Sequence, residues 1–413
     1  MLKIVYPICC GIDVHKTFVI ACIASTNGVG ITNYLSKRFS TFTKGLNELS
    51  SWLIENSCKD VCMESTGKYF YPVYNILEKT CNKPIVAHPK YVKAIRGKKT
   101  DKRDARWIAD LFKHDLVVNS FIPPQDIRQL RDLMRYRTKL TNFQSGEKNR
   151  FQNCLTVSNI QLASVVSDTF GKSSMRIIEK LLENPLDKNI DIASLIHKSM
   201  LAKIPDLELA VEGVITDEQA EKIKIIKQHY DSIELCKLNL ESVILSLAEP
   251  YKKEIELILT APSFKDVFTA IAIISEIGTD MSQFATAKNL CSWAGLAPTN
   301  NESAGKKKSV RISNGGKFLK PLLVQCANSV VISEKHPEIR NRFINLKKRR
   351  GHKKAVIAIC RMLLTAVYHM LKKGEPYNSE LYKKADILPL TREITVEQAI
   401  FIAQRQGYLI LHN

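Results

Sequence analysis

The sequence predicts an α/β domain followed by a long, mostly helical remainder. Over the first hundred residues, apolar runs of strand length alternate with segments whose apolar residues recur at helical spacing. From about residue 125 the helical spacing takes over, in two unusually long stretches separated by shorter ones. A chain of 413 residues is also too long for one typical core, so two or three domains are expected.

The elements follow in order. "PICCGIDVH" and "TFVIACIAS" are short β-rich runs separated by His15-Lys16. The turn-rich "TNGVG" joins them to "ITNYLSKRFS", which makes a three-stranded meander. "TKGLNELSSWLIEN" reads as a helix with Thr43 as its cap. "KDVCMES" reads as a buried strand, "YFYPVYNILEKT" as a helix with an early proline, and "KPIVAH" as a further strand that Pro89 keeps short. A basic loop then leads into "KTDKRDARWIADL", the opening of another helix. The order β-β-β-α-β-α-β-α is that of a ribonuclease-H-like fold.

From about Gln125 to Leu155 the pattern is one long helix rich in Arg, Lys and Gln, and a second runs from about Asp217 to Leu247. Pro185 and Pro205 punctuate the material between. The pair reads as a helical hairpin or coiled-coil insertion, either a spacer and dimerisation arm or two ordinary packed helices. After Pro250, "LTAPSFKDVFTAIAIISEIG" gives a turn and an apolar helix ending near Gly278, and "FATAKNLCSWAGLAP" gives another ended by Gly295 and Pro298. This turn–helix–turn–helix suits either amide contacts to DNA phosphates or a small helical core. The loop "TNNESAGKKKSVRISNGG" follows, and two more helices flank the basic run "LKKRRGHKK". In the tail beyond Pro376 a short helix is expected after Thr395, with Gln398 completing a capping box.

Charge narrows the function. Sixty-one Lys and Arg against 41 Asp and Glu leave a net charge of +20, with a pI near 9.4. An imbalance of this size points to a polyanion partner, the plainer reading being solubility alone. Aromatic residues make up 8% of the chain, so disorder does not account for the charge. The 11 cysteines are an odd number, and Cys58 and Cys62 are poorly spaced for zinc. Most sit in apolar company, which suits core thiols and a reducing cytoplasm. The opening "MLKIVYPICCGIDVH" is interrupted by Asp13 and His15 and makes a poor signal peptide. "AVIAICRMLLTAVYHML" carries Arg361 and His369 and reads as too short and too broken to cross a bilayer, so no membrane role is expected.

The carboxylates carry the chemistry. Asp13 ends the first apolar strand and Glu64 ends "DVCME", strands that are neighbours in a ribonuclease-H-like sheet. Asp101 and Asp104, three residues apart, share one face of a helix. Four converging acids would suit two Mg²⁺ ions, hard cations that take carboxylate and phosphate oxygens and stabilise both attacking and leaving oxygens at phosphorus. The alternative for Asp101 and Asp104 is a plain helix start, where the dipole favours acids. Asp13 and Glu64 are costlier at the ends of apolar strands unless exposed or paired. Around the helix acids, Arg96, Lys98, Lys99, Lys102 and Arg103 would hold a phosphate backbone, as would Lys347, Lys348, Arg349 and Arg350 of the second basic run. Asp110 and Asp115 read as surface helix acids.

Three blocks, "GIDVHKTFVIACIASTNG", "CMESTGKYFYPVYNILE" and "HPKYVKAIRGKKTDKRDARWIADL", resemble the DEDD transposases of the insertion-sequence-110 type, which are related to the pilin-gene DNA invertases. "LCSWAGLAPTNNESAGKKKSVRISNGGKFLKPLL" resembles the same family's C-terminal block. The resemblance implies a RuvC-like domain over 1–122, a helical or coiled-coil linker over 123–252 and a transposase domain over 253–375, and leaves the tail 376–413 unmatched. It implies DNA element ends and a target as substrates, a structured guide RNA, Mg²⁺, a homo-oligomer (dimer or tetramer), and a nucleophilic serine. Ser303 matches that serine better than Ser309 does, since Lys306, Lys307 and Lys308 and then "RISNGG" follow it. Two departures stand out. Pro262-Ser263-Phe264-Lys265 replaces a Pro-Gly turn, and Ser303-Ala304-Gly305 replaces Ser-Gly. Two other functions share many of these features: a RuvC-like nuclease such as a junction resolvase, using the four acids alone, and a non-catalytic nucleic-acid-binding protein whose acids are structural.

Overall fold

The structure, a computed structural model, describes residues 2–64, 67–88, 92, 100–183, 190–298, 301–303, 306–309, 311–380 and 400, with backbone alone for 301–303 and 306–309. It is a mixed α/β protein that divides into two compact units, Met1–Asp132 and Leu133–Asn413.

The first unit is built on five strands, β1 (Ile8–Val14), β2 (Phe18–Thr26), β3 (Thr32–Ser40), β4 (Asp60–Glu64) and β5 (Ile85–Ala87), in the order β3-β2-β1-β4-β5. The meander β1–β2–β3 is antiparallel, whereas β1 pairs with β4, and β4 with β5, in parallel. Parallel neighbours need a crossover, and the helices supply it: α1 (Thr43–Glu55) before β4 and α2 (Phe70–Leu77) before β5. Alternation along β1 sends Cys10, Ile12 and Val14 to a core shared with Leu46, Leu49, Trp52 and Leu53 of α1 and Phe70, Val73 and Tyr74 of α2. On the other face Cys9, Cys62 and Ala87 pack against Ile108, Ala109 and Phe112 of α3 (Asp101–Lys113). Thr43 is the first helical residue of α1 and not its cap. Phe42 occupies the cap position, and no side chain caps the helix.

The long helix α4 (Gln125–Val157) begins in the first unit, where Arg128 grips Glu78 at 2.6 Å and Asn75 at 2.8 Å. In the second unit it runs antiparallel to α5 (Asp217–Ala248). Arg137 bonds Glu241 at 2.7 Å, and ten residues further along, Glu147 meets His229 at 3.0 Å. The segment joining them packs Leu162, Ile177 and Leu207 into a helical core shared with Phe151 of α4 and Ile223 of α5. The pair is thus a helical hairpin, as the sequence suggests.

Beyond it, α6 (Val267–Ile277) starts on an Asp266 cap and ends on Gly278 at φ 73°, and α7 (Ala287–Trp293) starts on a Thr286 cap. A short hairpin, β6 (Asn301–Ser303) and β7 (Lys306–Ser309), precedes α8 (Leu319–Ile332), α9 (Pro337–Arg350) and α10 (His352–Lys373). Helix α10 contains the apolar run judged too short for a bilayer. It is in fact 22 residues long with a mean hydropathy of 1.5 over an 18-residue window. Ile359, Cys360, Leu363, Leu364 and Val367 are buried along it, which is the pattern of a core helix. The expected capping box at Thr395–Gln398 and the limit set by Pro89 lie outside the described residues.

All eleven cysteines are free thiols, nine of them buried. Burial pushes the thiols of Cys9, Cys58, Cys62 and Cys360 up to about 12, so these are inert core groups.

Candidate functional site

The register of the parallel pair explains how two acids distant in sequence meet. Ile12 pairs with Met63, so the next residues, Asp13 and Glu64, fall side by side where β1 and β4 end. Both share the sheet face covered by α3, because Cys9, Gly11 and Asp13 alternate away from Cys10, Ile12 and Val14. Gly11 brings that helix close. A Cβ there would lie 2.3 Å from Ala105 O and 2.3 Å from Ala109 N, so the backbone of α3 rests directly on β1. Asp101 lies one turn before Ala105 and Asp104 next to it, so this close seat delivers the first turn of α3 to the end of β1. Thr100 caps the helix by accepting from the Arg103 amide, and the N-terminal dipole favours both acids.

Asp13 is only 8% exposed. Burial raises its proton affinity above the ordinary carboxylate range, partly offset by the charge of His15, with Asp104 and then Asp101 raising it further. A desolvated carboxylate facing two more acids is unfavourable alone and is relieved by a divalent cation. The oxygen-rich donor set therefore fits Mg²⁺ or a similar ion. Among the described residues Asp13, His15 and Asp101 bring one ligand atom each within 4.8 Å of one another.

His15 did not emerge from sequence reasoning as a site residue. Its Nε2 lies 3.1 Å from Asp13 Oδ2 and 3.7 Å from Asp101 Oδ1. The tight β1–β2 turn holds it there: the His15 amide donates to Phe18 O at 2.9 Å, and its ring packs on the Phe18 ring at 4.5 Å. The available signal was the Asp-Val-His triplet, which places a ligand-type side chain two residues beyond a strand-end acid.

Asp110 is not the surface acid expected. It accepts a 2.5 Å hydrogen bond from the Tyr34 hydroxyl and a 3.2 Å bond from the buried ammonium of Lys113, which ties α3 to β3. Asp115 is exposed, as expected, at φ 55° just past the helix end.

The remaining site residues divide by place. Lys102 and Arg103 are exposed in the first turn of α3, while Arg96, Lys98 and Lys99 lie outside the described residues. In the second unit Ser303 ends β6 directly opposite Lys306, so it stands at a hairpin end rather than in an open loop. Glu302 pairs with Lys307 after a bulge at Asn301, and Lys308 lies on the same strand, β7. Lys347, Lys348, Arg349 and Arg350 are exposed in the last turn of α9, where a helix C-terminus favours cations. Ser263, in the departed Pro-Gly turn, keeps a glycine-like φ of 75°, with its hydroxyl donating to Cys326 O at 2.7 Å.

Acids at the ends of adjacent parallel strands, backed by a helix bearing two more, make a candidate metal centre of carboxylates. A DEDD transposase family model of the IS110 type matches residues 10–160. The model of the Transposase IS116/IS110/IS902 family matches residues 256–343. Together they cover more than half of the chain, which belongs to the IS110-type transposase family. Among curated proteins it is similar to the pilin gene-inverting proteins of Moraxella lacunata and Moraxella bovis, each 32% identical over 109 residues, 25% of this chain and 33% of the relative. It is also similar to an uncharacterized 42 kDa protein of insertion element IS900 from Mycobacterium paratuberculosis, 29% identical over 125 residues, 30% of this chain and 31% of the relative. The chain thus spans about a third of the length of these relatives.

Proposed function

We propose that the protein is a transposase that excises and inserts an insertion sequence by cutting and rejoining DNA. The observation that carries this reading is the meeting of Asp13 and Glu64 by strand register under the acid-bearing first turn of α3. The sheet order β3-β2-β1-β4-β5, with β1 parallel to β4, supports a ribonuclease-H-like, RuvC-like first domain.

Asp13, Glu64, Asp101 and Asp104 would hold the metal, Mg²⁺ in the simplest case. It would supply electrostatic stabilisation of charge at a DNA phosphate. Ser303 is the nucleophile. Its hydroxyl oxygen attacks phosphorus and loses its proton, a phosphoserine bond forms, and the phosphate–deoxyribose bond breaks with the departing oxygen taking a proton. Rejoining reverses these steps with the hydroxyl of a new strand, so the phosphodiester energy is conserved. Lys306, Lys307 and Lys308 stabilise the phosphate charge, and Lys102, Arg103 and Lys347 to Arg350 hold the backbone further along. The same role falls to Arg96, Lys98 and Lys99. A structured RNA from the element's own end is the guide this reading adopts from the family resemblance, and a dimer or tetramer is the working assembly. The segments 1–122, 123–252 and 253–375 serve as acid-bearing domain, helical linker and serine-bearing domain.

The test is incubation with a donor–target DNA pair, flanking-element RNA and Mg²⁺, followed by denaturing gels. A protein–DNA adduct that disappears in Ser303→Ala and persists in Ser309→Ala is expected, together with joined products. Cutting without adduct or joining would instead identify a plain nuclease. No cutting under any condition would leave a nucleic-acid-binding protein.

A further inference from the structure

We infer that His15 supplies a nitrogen ligand to the metal held by Asp13 and Asp101, which makes this a mixed nitrogen–oxygen site that favours Mn²⁺ and later first-row ions over Mg²⁺. The inference rests on the reading of the acids as a metal site and adds one donor to it.

The geometry brings three donor atoms within reach of one ion. Metal–ligand bonds of about 2.1 Å at right angles put neighbouring ligand atoms about 3.0 Å apart. His15 Nε2 lies 3.1 Å from Asp13 Oδ2, a hydrogen bond without metal and, once an ion displaces its proton, the separation of adjacent ligands on that ion. Its 3.7 Å to Asp101 Oδ1 falls between the spacing of adjacent and of opposed ligands and closes with a shift of less than 1 Å. The three donors come from two separate segments, the end of β1 with the turn that follows it (Asp13 and His15) and the start of α3 (Asp101). Neither is free to wander. The His15 ring is backed by Phe18, whose own ring lies 3.9 Å from the Arg38 guanidinium, and Gly11 fixes the approach of α3. Ligation at Nε2 needs the tautomer with its proton on Nδ1.

The consequence is selectivity. Mg²⁺ is hard, keeps its waters and gains little from an imidazole, whereas first-row transition ions bind nitrogen donors more strongly. A site of carboxylates alone would draw this distinction less sharply.

The experiment uses the full-length protein freed of metal, with folding of each variant checked by its thermal melt. Mn²⁺ and Mg²⁺ affinities are measured by calorimetry, and bound Mn²⁺ is examined by pulsed electron paramagnetic resonance for coupling to an imidazole nitrogen. In the wild type the nitrogen coupling should be present. His15→Ala should abolish it and weaken Mn²⁺ binding at least about tenfold, while Mg²⁺ binding changes less than about threefold. Asp13→Asn should weaken both ions. Absence of nitrogen coupling, or unchanged Mn²⁺ affinity in His15→Ala while Asp13→Asn weakens both ions, overturns the role of His15 and leaves the acid site standing. If Asp13→Asn also binds both ions as the wild type does, the acid site itself is refuted and the inference with it.

Discussion

At the residue scale, the role proposed for Asp13 opposes stability. Its raised proton affinity means the folded state holds the proton more tightly than the unfolded chain does. Between the ordinary carboxylate range and that raised value, stability therefore falls as pH rises, because charging the buried group costs the fold. Asp13→Asn should raise the melting temperature of the metal-free protein at pH 7 by a few degrees, while abolishing strand cleavage. A melting temperature that drops instead would show that the His15 contact outweighs the burial cost. Asp110 and Asp115 separate just as cleanly. Asp110→Asn breaks the pairing with Lys113 and weakens the bond from Tyr34, and should cost about 2–3 kcal/mol in denaturant titrations. Asp115→Asn, at a left-handed position that Asn accepts, should stay within about 0.5 kcal/mol. Asp115 is therefore the sounder control for the acid site.

At the element scale, the seat of α3 on β1 decides whether the acids meet at all. Gly11→Ala inserts a methyl against two backbone atoms of α3. It should destabilise the first unit by about 3 kcal/mol and weaken metal binding through displaced Asp101 and Asp104. Near-normal calorimetric metal affinity in this variant would refute the helix-seat account. Much of this arrangement was legible in the sequence. Short apolar, β-rich runs set the strands, helical spacing set α1 to α5, and acids closing apolar strands marked Asp13 and Glu64. What escaped was tertiary in origin. Thr43 has the chemistry of a cap, but the helix already begins at that residue. Asp110 looked exposed because its partners, Tyr34 on β3 and the buried Lys113, are apparent only once the sheet is folded. His15 was overlooked because its meaning depends on a turn that folds it back over Asp13. Ser303 was expected in a loop, and only strand pairing with Lys306 reveals the hairpin.

At the scale of the whole molecule, the net charge of +20 predicts a salt-dependent affinity for polyanions. Affinity for duplex DNA should fall steeply with salt, and replacing Lys347, Lys348, Arg349 and Arg350 by Ala should flatten the log–log slope by about 3 to 4. A slope unchanged by these substitutions would mean that the end of α9 is only a solvated surface. The division of the chain also has a consequence in time. All four acids belong to the first unit, which ends at Asp132, whereas Ser303 lies in the second. During synthesis the amino-terminal unit leaves the ribosome first and can fold while the rest is still being made. At about 5–20 residues per second the serine follows after a delay on the order of ten seconds or more. On the function proposed above, a nascent chain would complete its cation site well before it carries Ser303, so an interrupted translation product should bind metal yet form no phosphoserine bond.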